Sequence, residues 1–159
     1  MFRIEQIDIR DGSSVAREAT SLIIRAVLGG ETDHDRHLTE INPNEVTYAV
    51  FNEADVLVAA SEVLHGARNN AGDSVSYIQT MAVLEGYRGG IYGKGLLAYI
   101  AHRALGNEDV QVRLQTDTRR IRALEHLGFT YDRDELMPVG IETVKLIQRL
   151  GASSSDEEP

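Results

Sequence analysis

The chain has 159 residues, of which 42% are hydrophobic and 26% charged, and its formal net charge is −9. Length and composition predict one soluble globular domain, and no apolar run reaches the roughly 18 residues that a membrane-spanning helix requires. The acidity excludes a general nucleic-acid binder, whose affinity would come from cationic contacts with phosphates. The absence of cysteine excludes disulfides and a cysteine nucleophile, and it fits a cytoplasmic protein.

The first 64 residues predict a strand, two helices and a hairpin. Residues 2–9 alternate loosely between apolar and polar, which indicates an edge strand. Apolar residues at helical spacing then run from the turn at 11–14 to Gly29-Gly30, and the polar stretch 31–44 predicts a short helix plus a loop. Two β-rich runs, 46–51 and 56–64, predict the hairpin.

The remainder predicts four more strands, two helices and a tail. Residues 74–84 form a third consecutive antiparallel strand, and a helical period begins at Ile91 and ends at Gly106-Asn107. A second helix begins after Asp117 or Thr118 and stops at Gly128. The other predicted strands are 110–115, 130–137 and 143–150. The acidic residues 151–159 predict a disordered tail after a single domain at 1–150.

A glycine-rich, cationic turn at residues 88–95 is the most informative local pattern. A nucleotide P-loop requires Gly-Lys-Ser/Thr, but Lys94 is followed by Gly95, and Arg88 stands where the first glycine should be. A dinucleotide fingerprint requires the other glycine order and a first βαβ strand. What remains is a loop and helix N-terminus that hold a pyrophosphate, because backbone N–H groups and the helix dipole face the anion.

At this turn the chain resembles the GNAT acyltransferase superfamily, whose motif is commonly Gln/Arg-x-x-Gly-x-Gly/Ala. Residues 81–89 resemble the family's strand leading into the loop, and 91–106 resemble its helix. Residues 123–129, ending in Leu-Gly-Phe, resemble its later helix. The resemblance covers roughly residues 46–147 and implies an α/β (α+β) fold: a mixed, mostly antiparallel twisted sheet of about six to seven strands, flanked by helices on both faces.

The resemblance implies acetyl-CoA as acyl donor, an amine as acceptor and direct attack of the amine on the thioester. Val83 N–H would polarise the thioester carbonyl. The acceptor would be a small molecule or a peptide or protein amine, with no metal, no nucleic acid and no membrane, and a homodimer fits the family. The implied cofactor-binding residues are Met81, Ala82, Val83, Arg88, Gly89, Gly90, Ile91, Tyr92, Gly93, Lys94, Gly95, Asp117 and Arg120.

Two positions depart from the family pattern. Ile91 stands at the first glycine of the motif, where its Cβ disfavours positive φ, and Gly90 is the candidate to take over that role. Leu124 stands where the family often has the tyrosine that protonates the leaving thiolate. Tyr131 is our expected substitute as the acid, with Tyr92 and Tyr99 as alternatives.

The acceptor ammonium must lose a proton before it attacks, so a base is expected near Val83. Glu62 is the preferred candidate, since its strand is expected to neighbour residues 74–84; the alternative is a glutamate that faces solvent. Gln79, Thr80 and Gln115 could position a water instead. The segment Asp33–His37 is predicted to line the acceptor pocket rather than to bind a metal.

These patterns predict an acyl-CoA-dependent N-acetyltransferase that works through a ternary complex. The alternative is a catalytically weak or inactive GNAT-like module that binds acyl-CoA or a protein partner.

Overall fold

The computed structural model describes residues 1–26, 33–117, 121–126, 128–131 and 141–147, which contain seven strands and four helices. In chain order these are β1 Arg3–Ile7, α1 Ser14–Ala26, α2 His34–Glu40, β2 Val46–Phe51, β3 Leu57–Arg68, β4 Ser74–Val83, α3 Ile91–Gly106, β5 Gln111–Asp117, α4 Ile121–His126, β6 Thr130–Tyr131 and β7 Ile141–Ile147.

The strands form one sheet in the order β1-β2-β3-β4-β5-β7-β6. Pairing is antiparallel between β1 and β2, β2 and β3, β5 and β7, and β6 and β7. The mixed, mostly antiparallel architecture predicted from the sequence is therefore confirmed. None of the helices in the described ranges is long and apolar enough to cross a membrane.

Contacts along the chain define two compact units, which we call the first and the second unit. Met1–Leu64 and Ile78–Ile100 form the first; His65–Tyr77 and the chain from Ala101 form the second. The single domain at 1–150 stays a prediction, and the predicted tail at 151–159 lies outside the described residues.

In the first unit, α1 covers one face of the sheet. Its apolar stripe, which includes Leu22 and Ile23, packs in one buried cluster with Ala49, Ala60 and Ala82 of β2, β3 and β4. The small strand side chains allow the helix to lie close to the sheet. Side chains alternate between the two faces of a strand, so the neighbours of these alanines point the other way.

The opposite face of the same strands meets α3. The rings of Tyr48 and Tyr99 make an edge-to-face contact with centroids 5.3 Å apart. A Cβ placed on Gly93 would lie 3.6 Å from Val83 Cγ2, an ordinary packing distance. Helices therefore lie on both faces of this part of the sheet, as the sequence predicts.

Both early helices begin with a capped turn. The Ser13 hydroxyl accepts a hydrogen bond from the Ala16 amide at 3.1 Å, and the Asp33 carboxylate accepts one from the Arg36 amide at 2.8 Å. These caps satisfy donors that the first helical turn leaves unpaired.

β3 is longer than the predicted run 56–64, because residues 65–68 continue the strand. The chain turns only at Asn69, whose side-chain oxygen accepts from the amides of Ala71 and Asp73. Gly72 supplies the left-handed conformation of that turn, with φ +85°. The sequence pattern misplaced the boundary because polar strand residues resemble loop composition.

Gly95 is explained by packing. A Cβ at this position would lie 2.5 Å from Cζ of Phe2, so the ring occupies the space that any other side chain would fill. Phe2 also makes an edge-to-face contact with Tyr92, with centroids 5.5 Å apart. The N-terminal segment is thereby attached to the beginning of α3.

We expect Gly95→Ala to lower the free energy of unfolding by about 1 kcal/mol, since the new methyl group displaces the Phe2 ring. The matched variant Gly93→Ala should raise it by about 0.5–1 kcal/mol, because alanine favours helix and the site is open to a Cβ. Chemical denaturation measures both. In a Phe2→Ala background the two variants should behave alike, and equal stabilisation in the native background would contradict the packing explanation.

Candidate active site

The loop between β4 and α3 is an exposed, tightly turned segment. The Tyr87 amide donates to the Leu84 carbonyl oxygen at 3.0 Å, which closes the first turn. Gly86 and Gly89 have φ values of +96° and +75°, a left-handed region that favours glycine. A Cβ at either glycine would meet nothing within 4 Å, so the loop leaves open space beside its backbone.

The departure at Ile91 proves harmless to the loop geometry. Ile91 is the first residue of α3 and is 61% exposed. Among the described non-glycine residues, only Asp55 and Glu108 have positive φ, so Ile91 carries no left-handed strain. Gly89, and not the expected Gly90, supplies the left-handed turn before the helix.

Two cations belong to this loop and helix start. Arg88 Nε donates to the Val83 carbonyl oxygen at 3.0 Å, which attaches the loop to the end of β4. No partner for its two terminal nitrogens is found among the described residues. Lys94 is exposed in the first turn of α3, where the leading N–H groups of the helix have no intrahelical acceptor. This arrangement suits an anion.

The end of β4 presents the predicted thioester-binding backbone. Ala82 is buried on the α1 side of the sheet, whereas Met81 and Val83 are half-buried. One residue later the Leu84 amide donates to the Val58 carbonyl oxygen at 2.8 Å, so β4 is held beside β3 up to this point.

Glu62 is 1% exposed, which excludes the alternative that it faces solvent. Its Oε2 lies 2.6 Å from Nε2 of His37, and its Oε1 accepts from Thr80 Oγ1 at 3.0 Å. The Glu62 amide in turn donates to Thr80 Oγ1 at 3.2 Å, and the Ser61 hydroxyl donates to the Thr80 carbonyl oxygen at 2.6 Å. Glu62, His37 and Thr80, which we call the Glu62 network, give a buried carboxylate two side-chain partners.

A second carboxylate stands near this network. Glu45 is half-buried, and burial raises its pKa, while a backbone hydrogen bond from Asn42 opposes the rise and the charge of Glu62 adds to it. Its carboxylate also interacts electrostatically with His37 and Arg10. The surroundings of the network are therefore acidic, which favours a cation.

The side chains of the segment Asp33–His37 separate instead of converging. Asp33 caps α2, His34 Nε2 lies 2.8 Å from the Ser21 hydroxyl, and His37 faces Glu62. Within the described parts of the chain, no three histidine or carboxylate groups are placed to hold a metal ion.

The second unit contains a separate buried cluster around Asp109, which is 0% exposed. The Ser74 and Ser76 hydroxyls donate to its two oxygens at 2.5 Å each, and Asn107 and the Gly66 amide donate at 3.2 and 3.3 Å. His65 Nδ1 lies 2.6 Å from Ser76 Oγ.

This cluster does not have the geometry of a Ser-His-Asp catalytic triad. In a triad the histidine lies between the serine and the carboxylate. Here the buried Ser76 hydroxyl lies between the other two groups and donates directly to Asp109. The cluster instead ties the end of β3, the start of β4 and the turn before β5 to one carboxylate.

The remaining predicted site residues are only partly described. Tyr131 pairs with Val144 in the β6–β7 ladder, and Asp117 pairs with Ile141 at the end of β5; nothing is described of either side chain. Arg120 lies outside the described residues. Leu124 is buried. Gln79 is exposed.

The sequence missed the pairing of His37 with Glu62. The one available signal was spacing, since His34, His37 and Ile41 recur at helical intervals that place one face of α2 inward. Helical spacing predicts which face of α2 is buried, but it does not predict which residue, here 25 positions away, contacts that face.

A family model described as the acetyltransferase (GNAT) family matches residues 17–129. The chain belongs to this family. A search of curated proteins found no match.

Solved structures show the same fold at low identity. An acetyltransferase from Bacillus subtilis in complex with CoA is 16% identical, with 94% of this chain and 100% of that chain covered and a TM-score of 0.69. A GNAT family acetyltransferase from Elizabethkingia anophelis with acetyl-CoA bound is 12% identical, with 92% and 97% covered and a TM-score of 0.66. FeeM, an N-acyl amino acid synthase from uncultured soil microbes, is 14% identical, with 92% and 91% covered and a TM-score of 0.70.

We expect Asp109→Asn to lower the free energy of unfolding at pH 7 by about 2–4 kcal/mol, because an amide nitrogen would face donors. Burial raises the pKa of Asp109, but the hydrogen bonds from Ser74, Ser76, Asn107 and Gly66 together outweigh it and lower the pKa. The stabilisation is therefore present above the unfolded-state pKa of about 3.9, and it is lost as the pH falls through the lower pKa of the folded state.

Urea denaturation between pH 7 and pH 3 tests this expectation. The difference between the native protein and Asp109→Asn should narrow below about pH 4, whereas the exposed control Asp73→Asn should track the native protein throughout. A difference that stays constant with pH would rule out an ionised Asp109 as the source of the stability.

Proposed function

We propose that the protein is an acyl-CoA-dependent N-acyltransferase that transfers acetyl from acetyl-CoA to a primary amine by direct attack in a ternary complex. The observation that carries this proposal is the β4–α3 connection, where an open left-handed turn at Gly89, Arg88 and the N-terminus of a 16-residue helix meet. Membership of the GNAT family and two fold neighbours that contain acetyl-CoA or CoA support it.

The residues of this connection fit a pyrophosphate. Arg88, with Nε engaged by Val83, keeps its terminal nitrogens for a phosphate oxygen, and Lys94 adds a second positive charge. In our proposal the anion approaches the backbone of residues 89–93. Gly89 has no Cβ, so no side chain stands in the way at that position. Gly95 contributes through packing with Phe2 rather than through an opening toward the ligand.

The acyl donor supplies an activated thioester carbonyl. In our proposal Val83 N–H polarises the carbonyl oxygen, while Met81 and Ala82 hold the pantetheine arm. Asp117, Arg120 and Tyr131 stay proposed contributors, with Tyr131 as the proton donor to the leaving sulfur.

Proton removal from the acceptor is assigned to the Glu62 network. The Glu62 carboxylate is buried on the strand next to β4, and each of its oxygens has one side-chain hydrogen-bond partner. One of these partners is His37, and the acidic side chain of Glu45 lies nearby. Such a cluster both attracts an ammonium and provides an acceptor for its proton.

Leu124 favours a second candidate function. Because this buried leucine occupies the position of the family's frequent tyrosine acid, the protein could bind acyl-CoA without transferring the acyl group. Binding without turnover distinguishes this candidate from the enzyme.

Arg88→Ala should weaken CoA binding about tenfold, which corresponds to about 1.4 kcal/mol, because a charge-assisted phosphate contact is removed. Isothermal calorimetry with CoA measures the affinity. The control Arg17→Ala removes an exposed arginine of α1 and should leave binding unchanged. Equal affinity for all three proteins would remove Arg88 from the proposed pyrophosphate site.

Native protein mixed with acetyl-CoA and a panel of primary amines should release CoA in the presence of at least one amine. The chain has no cysteine, so a thiol reagent reports CoA without a protein background. Mass spectrometry of the acetylated amine confirms the product. CoA binding with no amine-dependent thiol release would select the non-catalytic alternative.

A further inference from the structure

His37 belongs to the Glu62 network, but the reaction scheme above gives it no role of its own. It is buried in α2, and its Nε2 lies 2.6 Å from Glu62 Oε2. His37, Glu62, Thr80, Glu45 and Arg10, on which the inference rests, all belong to the first unit.

Glu62 itself presents essentially no surface to an acceptor. One oxygen faces His37, the other accepts from Thr80, and the residue is 1% exposed. An amine outside the core therefore needs a group between itself and the carboxylate.

The hydrogen-bond directions fix the tautomer of His37. Thr80 Oγ1 accepts from the Glu62 amide, so its own proton is available for Glu62 Oε1. An ionised carboxylate only accepts, and Oε2 therefore takes its hydrogen bond from Nε2–H of His37. In the neutral ring the lone pair is then on Nδ1.

Nδ1 of His37 is available. It has no hydrogen-bond partner among the described residues. The atom is not fully closed off from solvent, so some of its surface stays accessible to water. A basic nitrogen with its opposite nitrogen held by a carboxylate is the arrangement in which a histidine serves as a general base.

We infer that His37 Nδ1 is the base that removes the proton from the acceptor ammonium, and that Glu62 is a positioning residue that holds the His37 ring and stabilises its charged form. This inference rests on the proposed N-acyltransferase function and names the group that contacts the amine. Thr80 completes the arrangement by fixing the Glu62 carboxylate.

The placement along β4 suits this role. Thr80 and Ala82 lie on the same face of the strand, about 7 Å apart at the usual rise per residue. Val83, the proposed thioester contact, follows immediately. An amine at the end of β4 would thus lie between the acyl carbonyl and α2.

The protons balance over one turnover. The ammonium gives one proton to His37 Nδ1, and the resulting imidazolium later releases it to solvent. The free lone pair forms the C–N bond as the C–S bond breaks. Of the two protons still on the attacking nitrogen, one passes to the leaving sulfur, directly or through the proposed acid, and the other stays as the amide hydrogen.

The groups that face His37 carry charges of both signs. Glu62 on β3 and Glu45 before β2 are carboxylates. Arg10 after β1 is a cation, and its guanidinium also donates to the Leu38 carbonyl oxygen at 3.2 Å.

The kinetic test compares His37→Gln with Glu62→Gln, using the amine that gives the fastest CoA release with the native protein. We expect His37→Gln to lower kcat by about 10²–10⁴-fold and to leave CoA affinity unchanged. In a plot of kcat against pH, this variant should also lose the fall in kcat on the acidic side. Glu62→Gln should keep that fall but shift it to lower pH. The control His102→Gln, an exposed residue of α3, should leave both unchanged.

A second readout does not depend on turnover. Nitrogen-15 NMR of the histidine rings, assigned by comparison with His37→Gln, should show that the neutral form of the native His37 ring is protonated on Nε2 and unprotonated on Nδ1. The tautomer is a property of the Glu62 contact alone, so it is measurable even in a protein without activity.

If the native protein releases CoA and His37→Gln shows the same dependence of kcat on pH as the native protein, the inference is overturned. The proposed function would remain intact. A His37 ring that carries its proton on Nδ1 would also overturn the inference. Absence of amine-dependent CoA release from the native protein would remove the proposed function itself, and the catalytic role of His37 with it.

Discussion

The hydrogen bonding of one buried carboxylate is the constraint on which the first unit depends. Glu62 is a charged side chain with essentially no access to water, and such a group is tolerated only where hydrogen bonds replace its hydration. His37 and Thr80 provide them from α2 and β4. The carboxylate consequently fixes where α2 lies over the sheet and how β3 and β4 align, so the same contacts that stabilise this region also define its chemistry.

In the neighbouring β4–α3 loop, the conformation of the backbone is specialised rather than a side chain. Its left-handed residues are Gly86 and Gly89, and the Arg88 side chain returns to the last carbonyl of β4. Strand, loop and helix start are held by that contact, by the turn that the Tyr87 amide closes, and by an edge-to-face contact of the Tyr87 and Tyr92 rings. An anion at the helix start would thus meet a geometry that is largely formed in advance, which lowers the cost of ordering on binding.

Most of the regular structure was predictable because it depends on local patterns. The apolar period and the cap residues placed α1 and α3, and the loop glycines marked where α3 begins. The sheet class followed from the run of β-rich segments. The exceptions have specific causes: residues 65–68 look like a loop, yet β3 continues to Arg68 because the turn is set by Asn69. Likewise Ile91 looks like a defect in the motif, yet the left-handed residue is two positions earlier.

The sequence alone determined the order of the elements, the family resemblance and the glycine turn with its cations, because each is encoded in residues close together in the chain. It also singled out Glu62, but as a residue with two opposite interpretations. Only the tertiary structure decided between them, by bringing His37 and Thr80 to its two oxygens from 25 residues before and 18 residues after it. The same holds for Gly95, whose reason is the Phe2 ring. Contacts between residues distant in sequence depend on how helices and strands pack, and periodicity within a segment carries no information about which distant side chain will lie opposite it.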